Sequence, residues 1–153
     1  MPAFITRTMN LIGERASTEK FLPLVIKKVL AGDELLIHSD PTRTKAGTRH
    51  YLHCRNAAAA TLFLLENAEN RNIYNVVGKE IDNLSFAQMI AGIIGKPLHY
   101  KLVDFHSSRP GHDLAYRLDD SKLRGMGFEY PVGFEESVER TVKWMMDHPW
   151  WLA

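Results

Sequence analysis

Apolar positions along the chain alternate between two periods. "AFITRT" (3–8) alternates weakly with β-branched residues and predicts a strand. "LPLVIKKVLAG" (22–32) places Leu22, Val25, Ile26, Val29 and Leu30 at helical spacing, with Pro23 near the first turn and Gly32 as the terminating residue. "ELLIHS" (34–39) predicts a strand, "DPTRTKAGT" (40–48) a loop, and "RHYLHC" (49–54) a further strand. Asn56 is placed to cap a helix over 57–68, whose alanines favour it. "IYNVVG" (73–78) predicts a strand closed by glycine. The helix over 84–95 has the clearest start, with Ser85 and Gln88 as a capping box, Leu84 and Met89 as a staple, and Gly95 at its end. "LHYKLV" (98–103) predicts a strand, 119–127 a short helix, and 134–149 a last helix with Glu136–Arg140 and Glu139–Lys143 pairs. Strands alternate with helices, so the expected class is α/β, with a mixed α+β character, in a single domain spanning 1–153.

Composition narrows the function classes. With 153 residues the chain can bury a real core. Nineteen basic and 18 acidic residues give a net charge of +1, without the basic excess that a nucleic-acid-binding domain shows. No apolar run approaches the about 18 to 20 residues that span a bilayer, and the N-terminus lacks the layout of a signal peptide. The single cysteine, Cys54, excludes an internal disulfide. The expectation is a cytoplasmic chain with no nucleic-acid or membrane partner.

Several catalytic signatures are missing. The ten glycines form no G-x-G-x-x-G or G-x-x-G-x-x-G, and no tyrosine is followed four residues later by lysine. G-x-x-x-x-G-K-[ST], H-E-x-x-H and G-x-S-x-G are also absent. His38, His50 and His53, or His106, His112 and Asp113, show no familiar ligand spacing, and a strand would turn His50 and His53 to opposite faces. No metal is expected. Trp144, Trp150 and Trp151 are read as packing residues.

What remains is a set of segments with anion-binding chemistry. "ITRTMN" ends a strand in Arg-x-x-Asn, "TEKFLP" opens a helix, "YNVVG" closes a strand, and "RPGHDLAYRLDDSK" precedes "GF-x-x-P" and "T-V-K-W". Arg109 presents a planar donor fork suited to phosphate, and Pro110-Gly111 fixes a turn that could hold Arg109 and His112 at one orifice. Lys20 stands at a helix start, where backbone N–H groups also favour anions. The alternatives are a surface loop for Arg109 and His112, an exposed helix lysine for Lys20 and a strand-end turn for Asn10.

Together these segments resemble the C-terminal part of the extended short-chain dehydrogenase/reductases, among them the nucleotide-sugar 4,6-dehydratases of the dTDP-glucose 4,6-dehydratase type. The resemblance covers nearly the whole chain. It implies a substrate-binding part without the Rossmann half that binds NAD and carries the Tyr-x-x-x-Lys pair, so that no cofactor is expected in this chain. A strand so close to Met1 fits the expectation that something normally precedes it. By this resemblance Asn10 matches a phosphate-contacting asparagine, and Lys20 with Phe21 match the pair that lines the nucleotide. Leu36 and His38 match two residues beside the base. Arg49 matches the arginine of an "R-D-W/F" stretch that binds phosphate, and Asn75 falls near another phosphate contact. Arg109 and His112 match residues at the diphosphate and nucleoside. No catalytic residue is carried over.

The implied partners are a dTDP- or UDP-sugar, a separate NAD-binding N-terminal half and a second copy of the chain. The chain is expected to be inactive alone, or else to be a non-catalytic nucleotide-sugar-binding or self-associating module. It departs from the family at "M-N-L-I-G-E" (9–14) for "S-N-N-Y-G-P" and at "R-H-Y" (49–51) for "R-D-W", which bears on the choice of sugar and base.

Overall fold

The computed structural model describes residues 3–104 and 113–153. Among these residues, seven strands and five helices follow in the order β1 (Ile5–Thr8), β2 (Asn10–Ile12), α1 (Phe21–Ala31), β3 (Leu35–Ser39), β4 (Thr48–His53), α2 (Cys54–Asn67), β5 (Ile73–Val76), β6 (Lys79–Asp82), α3 (Asn83–Ile94), β7 (Tyr100–Asp104), α4 (Ser121–Gly125) and α5 (Phe134–Asp147), with a 3-10 turn at Pro149–Leu152. The strands form three small sheets. β1 pairs in parallel with β5 and β3 with β7; β4 lies between parallel β2 and antiparallel β6. Among the described residues no helix is long and apolar enough to cross a membrane.

β4 separates two apolar clusters, because successive strand residues face opposite sides. Tyr51 joins Val25, Ile26, Phe86, Ile90, Val138 and Val142 between α1, α3 and α5. Its neighbour Leu52 joins Leu64, Tyr74, Val76 and Leu123 between α2, β5 and α4. Gly78 permits this packing. Its φ is +83°, and a Cβ there would lie 2.4 Å from the Tyr51 carbonyl oxygen.

The expected helices are present, and Gly32 and Gly95 end α1 and α3 in the left-handed conformation. The starts differ. α2 begins at Cys54, three residues earlier than expected, and its cap is His53, whose side chain accepts from the Arg55 N–H. Asn56 lies buried inside the helix, where it donates to the Val132 carbonyl (2.8 Å) and accepts from the Val132 N–H (3.1 Å). α3 is capped by Asp82, which accepts from the Ser85 N–H, and not by a Ser85 capping box. β2 and β6 were not apparent from periodicity, since their pairing with β4 is long-range and Lys79 and Glu80 are exposed. Trp150 is 68% exposed and lies outside the core, its ring edge-on to His148.

Candidate functional site: a cleft at the start of helix 1

The short strand β2 leads into a loop that ends at Lys20, the N-terminal residue flanking α1. No side chain caps this helix and its first turn carries no acidic residue, so its N-terminal amides favour an anion. Beside it β4 presents Arg49 and Tyr51 on one face, and β3 contributes His38. Between them lies a cleft of about 230 Å³ lined by Asn10, Lys20, Phe21, His38, Arg49, Tyr51 and Asn83, among others.

The floor is aromatic. Phe21 stacks beside Tyr51 at 6.4 Å between ring centroids, and Tyr51 packs on Phe86 at 4.3 Å. The Tyr51 hydroxyl donates to Asn83 Oδ1 (2.8 Å). Burial raises the Tyr51 pKa far above its ordinary value, against the opposing pull of Arg49, so this phenol is a fixed hydrogen-bonding group and not a base. Asn10 Nδ2 donates to the His50 carbonyl (3.2 Å), which ties β2 to β4.

Arg49 bridges two segments. Nη1 donates to the carbonyls of Thr48 (2.7 Å) and Leu114 (2.9 Å), and Nη2 to that of Asp113 (3.1 Å). The guanidinium also lies over Tyr116. It therefore holds residues 113–116 against the cleft. Past Asn10 and Lys20 a second concavity, of about 760 Å³, is lined by Thr8, Met9, Tyr116 and Arg117. Arg117 pairs with Glu80 at 2.8 Å.

Five of the residues singled out from sequence thus converge: Asn10, Lys20, Phe21, His38 and Arg49. Leu36 shares its side of β3 with His38 and is 56% exposed, but does not line the cleft. Asn75 is also outside it, on β5, where Nδ2 donates to the Asp119 carbonyl (2.7 Å). Arg109 and His112 lie outside the described residues. Sequence reasoning missed Tyr51, Asn83 and Tyr116. Tyr51 was accessible through its i,i+2 relation to Arg49 on a strand, whereas Asn83 reaches the cleft, and Tyr116 the second concavity, only through the tertiary fold.

The described residues offer one grouping of metal-ligand types, Glu14, His53 and Cys54, with ligand atoms within 4.8 Å of one another. The donor set does not suit an ion. His53 Nδ1 accepts from the Arg55 N–H, so in the neutral ring Nε2 carries the proton and has no lone pair to offer; it lies 3.3 Å from Glu14 Oε2.

Comparison with known proteins agrees with this architecture. Residues 1–77 match the sequence model of the NAD dependent epimerase/dehydratase family. The chain belongs to that family. It is 31% identical over 153 residues to a trifunctional UDP-glucose 4,6-dehydratase/UDP-4-keto-6-deoxy-D-glucose 3,5-epimerase/UDP-4-keto-L-rhamnose-reductase of Arabidopsis thaliana, covering 99% of this chain and 22% of that protein. Identity to the dTDP-glucose 4,6-dehydratase of Haemophilus influenzae is 31%, over 95% of this chain and 45% of that protein. Among solved structures, the dTDP-glucose 4,6-dehydratase of Bacillus anthracis in complex with NAD superposes with a TM-score of 0.81 at 25% identity, covering 97% of this chain and 46% of the other. DesIV, the dTDP-glucose 4,6-dehydratase of Streptomyces venezuelae with NAD and TYD bound, gives 0.80 at 27% identity, covering 97% and 45%. Family membership and the mixed α/β architecture of an extended short-chain dehydrogenase/reductase are therefore shown, and the chain spans less than half the length of these relatives.

Proposed function

We propose that this chain is the substrate-binding portion of a nucleotide-sugar 4,6-dehydratase or epimerase, and that the cleft at the start of α1 holds the nucleotide diphosphate. The observation that carries this reading is the convergence of Asn10, Lys20, Phe21, His38 and Arg49 on one concavity. Phe21 supplies an apolar surface for the nucleoside and His38 a polar edge. Lys20, the α1 amides and Asn10 face the phosphates. Arg49 acts chiefly by holding residues 113–116 in place. Arg109 and His112 complete the anion site in this proposal. Leu36 and Asn75 keep supporting positions beside it.

These residues bind and orient, and contribute through positioning. The sequence carries neither a G-x-G-x-x-G turn nor a Tyr-x-x-x-Lys pair, which supports a division of labour. In this reading NAD and the acid–base groups belong to a separate half. The exposed strand β1 supports that partner. All four of its residues are exposed, and Ile5 (59% exposed) lies in register with Ile73 (39% exposed) on a two-stranded parallel sheet, a type normally covered.

Calorimetric titration with dTDP-glucose and UDP-glucose tests the proposal. One of them binds, Lys20→Ala and Arg109→Ala weaken it, and the chain supplied with NAD gives no turnover. Turnover by the chain alone overturns the division of labour, and an absence of binding overturns the site.

The exposed Ile5, Ile73, Leu62 and Leu65 favour a second reading, a self-associating module. A clean monomer on size-exclusion chromatography counts against it.

A further inference from the structure

On the other side of the loop that follows β2 lies a third concavity, of about 610 Å³, walled by the loop 13–17, the start of α2 and Trp144 of α5. It meets the nucleotide cleft at Lys20, which lines both. We propose that it is a second ligand site, shaped for a sugar monophosphate.

Charge identifies the anionic end. Arg15, Lys20 and Arg55 line the concavity against one acid, Glu14. Arg55 Nη2 is bound to Glu14 Oε1 at 2.9 Å, so that pair is neutral. Arg15 and Lys20 have no carboxylate partner among the described residues, and Lys20 stands at the uncapped start of α1. Arg15, whose Cζ lies 6.0 Å over the Trp144 ring, and Lys20 together match a phosphate monoester, which carries about −1.5 to −2 at neutral pH.

The remaining lining suits a sugar ring. Trp144 is held by His148, stacked on it at 4.2 Å and 11°, and by the edge of Trp151. An indole so fixed offers, beside the Arg15 guanidinium 6.0 Å over its ring, an apolar surface at little entropic cost. Glu14 is equally pre-set, with Oε1 on Arg55 and Oε2 3.3 Å from His53 Nε2. Burial raises its pKa, but its own backbone N–H, His53 and Arg55 outweigh this and keep it ionised, an acceptor for hydroxyl groups. Trp151 Nε1 donates to the Ala16 carbonyl (3.0 Å) and so pins the loop that forms the wall.

The test is calorimetric titration of the chain with glucose 1-phosphate and glucose 6-phosphate, with free glucose and inorganic phosphate as the two halves of the ligand. At least one sugar phosphate binds at a single site, about tenfold or more tighter than either half. Arg15→Ala weakens it by about tenfold, Arg15→Lys recovers part of the loss, and His38→Ala, which alters only the neighbouring cleft, leaves it unchanged. Arg15 is exposed, so these variants keep the fold. No heat from either sugar phosphate overturns the proposal, as does equal affinity for inorganic phosphate. Loss of binding in His38→Ala with Arg15→Ala unaffected overturns it too, because the ligand then sits in the nucleotide cleft. The His38→Ala arm rests on the proposed nucleotide cleft; the Arg15 variants and the comparison with free glucose and inorganic phosphate do not.

Discussion

Arg49 lies over the ring of Tyr116, its Cζ 4.5 Å from the ring centroid, while the same guanidinium bonds the carbonyls of Asp113 and Leu114. One side chain therefore fixes both the backbone and the ring of a segment that also meets β4 through the bridge of Thr48 to Ala115. An ammonium has neither the planar fork nor the stacking face for this role. Arg49→Lys is expected to lower stability by about 1–3 kcal/mol, since charged donors to carbonyls contribute on that scale. Urea unfolding with an unchanged midpoint would show that the bridge contributes nothing.

Asn56 satisfies both main-chain groups of Val132, 76 positions away, from inside α2. Asn56→Ala leaves the part-buried N–H and C=O of Val132 without this partner and is expected to cost about 2–4 kcal/mol. Were Asn56 only a helix cap, the loss would stay near 1 kcal/mol. Chemical denaturation separates the two.

Gly78→Ala is expected to be more damaging than any surface change. The added Cβ would lie 2.4 Å from Tyr51 O at a φ of +83°. Backbone strain alone costs about 1–3 kcal/mol, and displacing β4 adds to it. A thermal midpoint within a degree or two of the wild type would contradict the close approach.

Acid should destabilise the chain in two stages. Burial pulls the His53 imidazole below its ordinary 6.5, an effect that Glu14 opposes and Arg55 reinforces. The unfolded chain therefore takes up a proton at His53 sooner than the folded one. This contribution is complete above pH 6.5 and is lost as pH falls below it. Glu14 is also held below its ordinary 4.5, so its contribution is complete above pH 4.5 and is lost at lower pH. His53→Asn, which retains a side-chain acceptor for the Arg55 N–H, should flatten the first stage and leave the second. Thermal midpoints measured between pH 4 and 8 check this, and an unchanged slope below 6.5 would place the dependence elsewhere.

Local rules succeeded where the answer was local. Gly32 and Gly95 end their helices because only a residue without a Cβ takes the left-handed conformation without strain. The same rules misplaced Asn56 and Ser85. Asn56 is an intrinsically good cap, but the His53 ring reaches the Arg55 N–H first, and Val132 recruits the asparagine from across the molecule. Ser85 gives way to Asp82, whose carboxylate accepts the Ser85 N–H itself. At the candidate site, Asn10, Lys20, Phe21, His38 and Arg49 were recognisable from short motifs, while Tyr51 entered only as a departure at 49–51 and Asn83 and Tyr116 had no motif to mark them. Leu36 and Asn75, the latter matched more loosely, do not line the cleft: Leu36 is exposed on the same side of β3 as His38, and Asn75 lies on β5 with Nδ2 donating to the Asp119 carbonyl.

The sequence by itself determined the alternation of helices and strands, the family and the residue types that suit an anion, because these depend on periodicity, turn chemistry and motifs within a few residues. The tertiary structure alone decided which of those residues share a cleft. It placed Lys20 where three concavities meet. It also gave Arg49 acceptors 64 and 65 residues away, the carbonyls of Asp113 and Leu114, since a guanidinium bonds the acceptors that the fold brings to it.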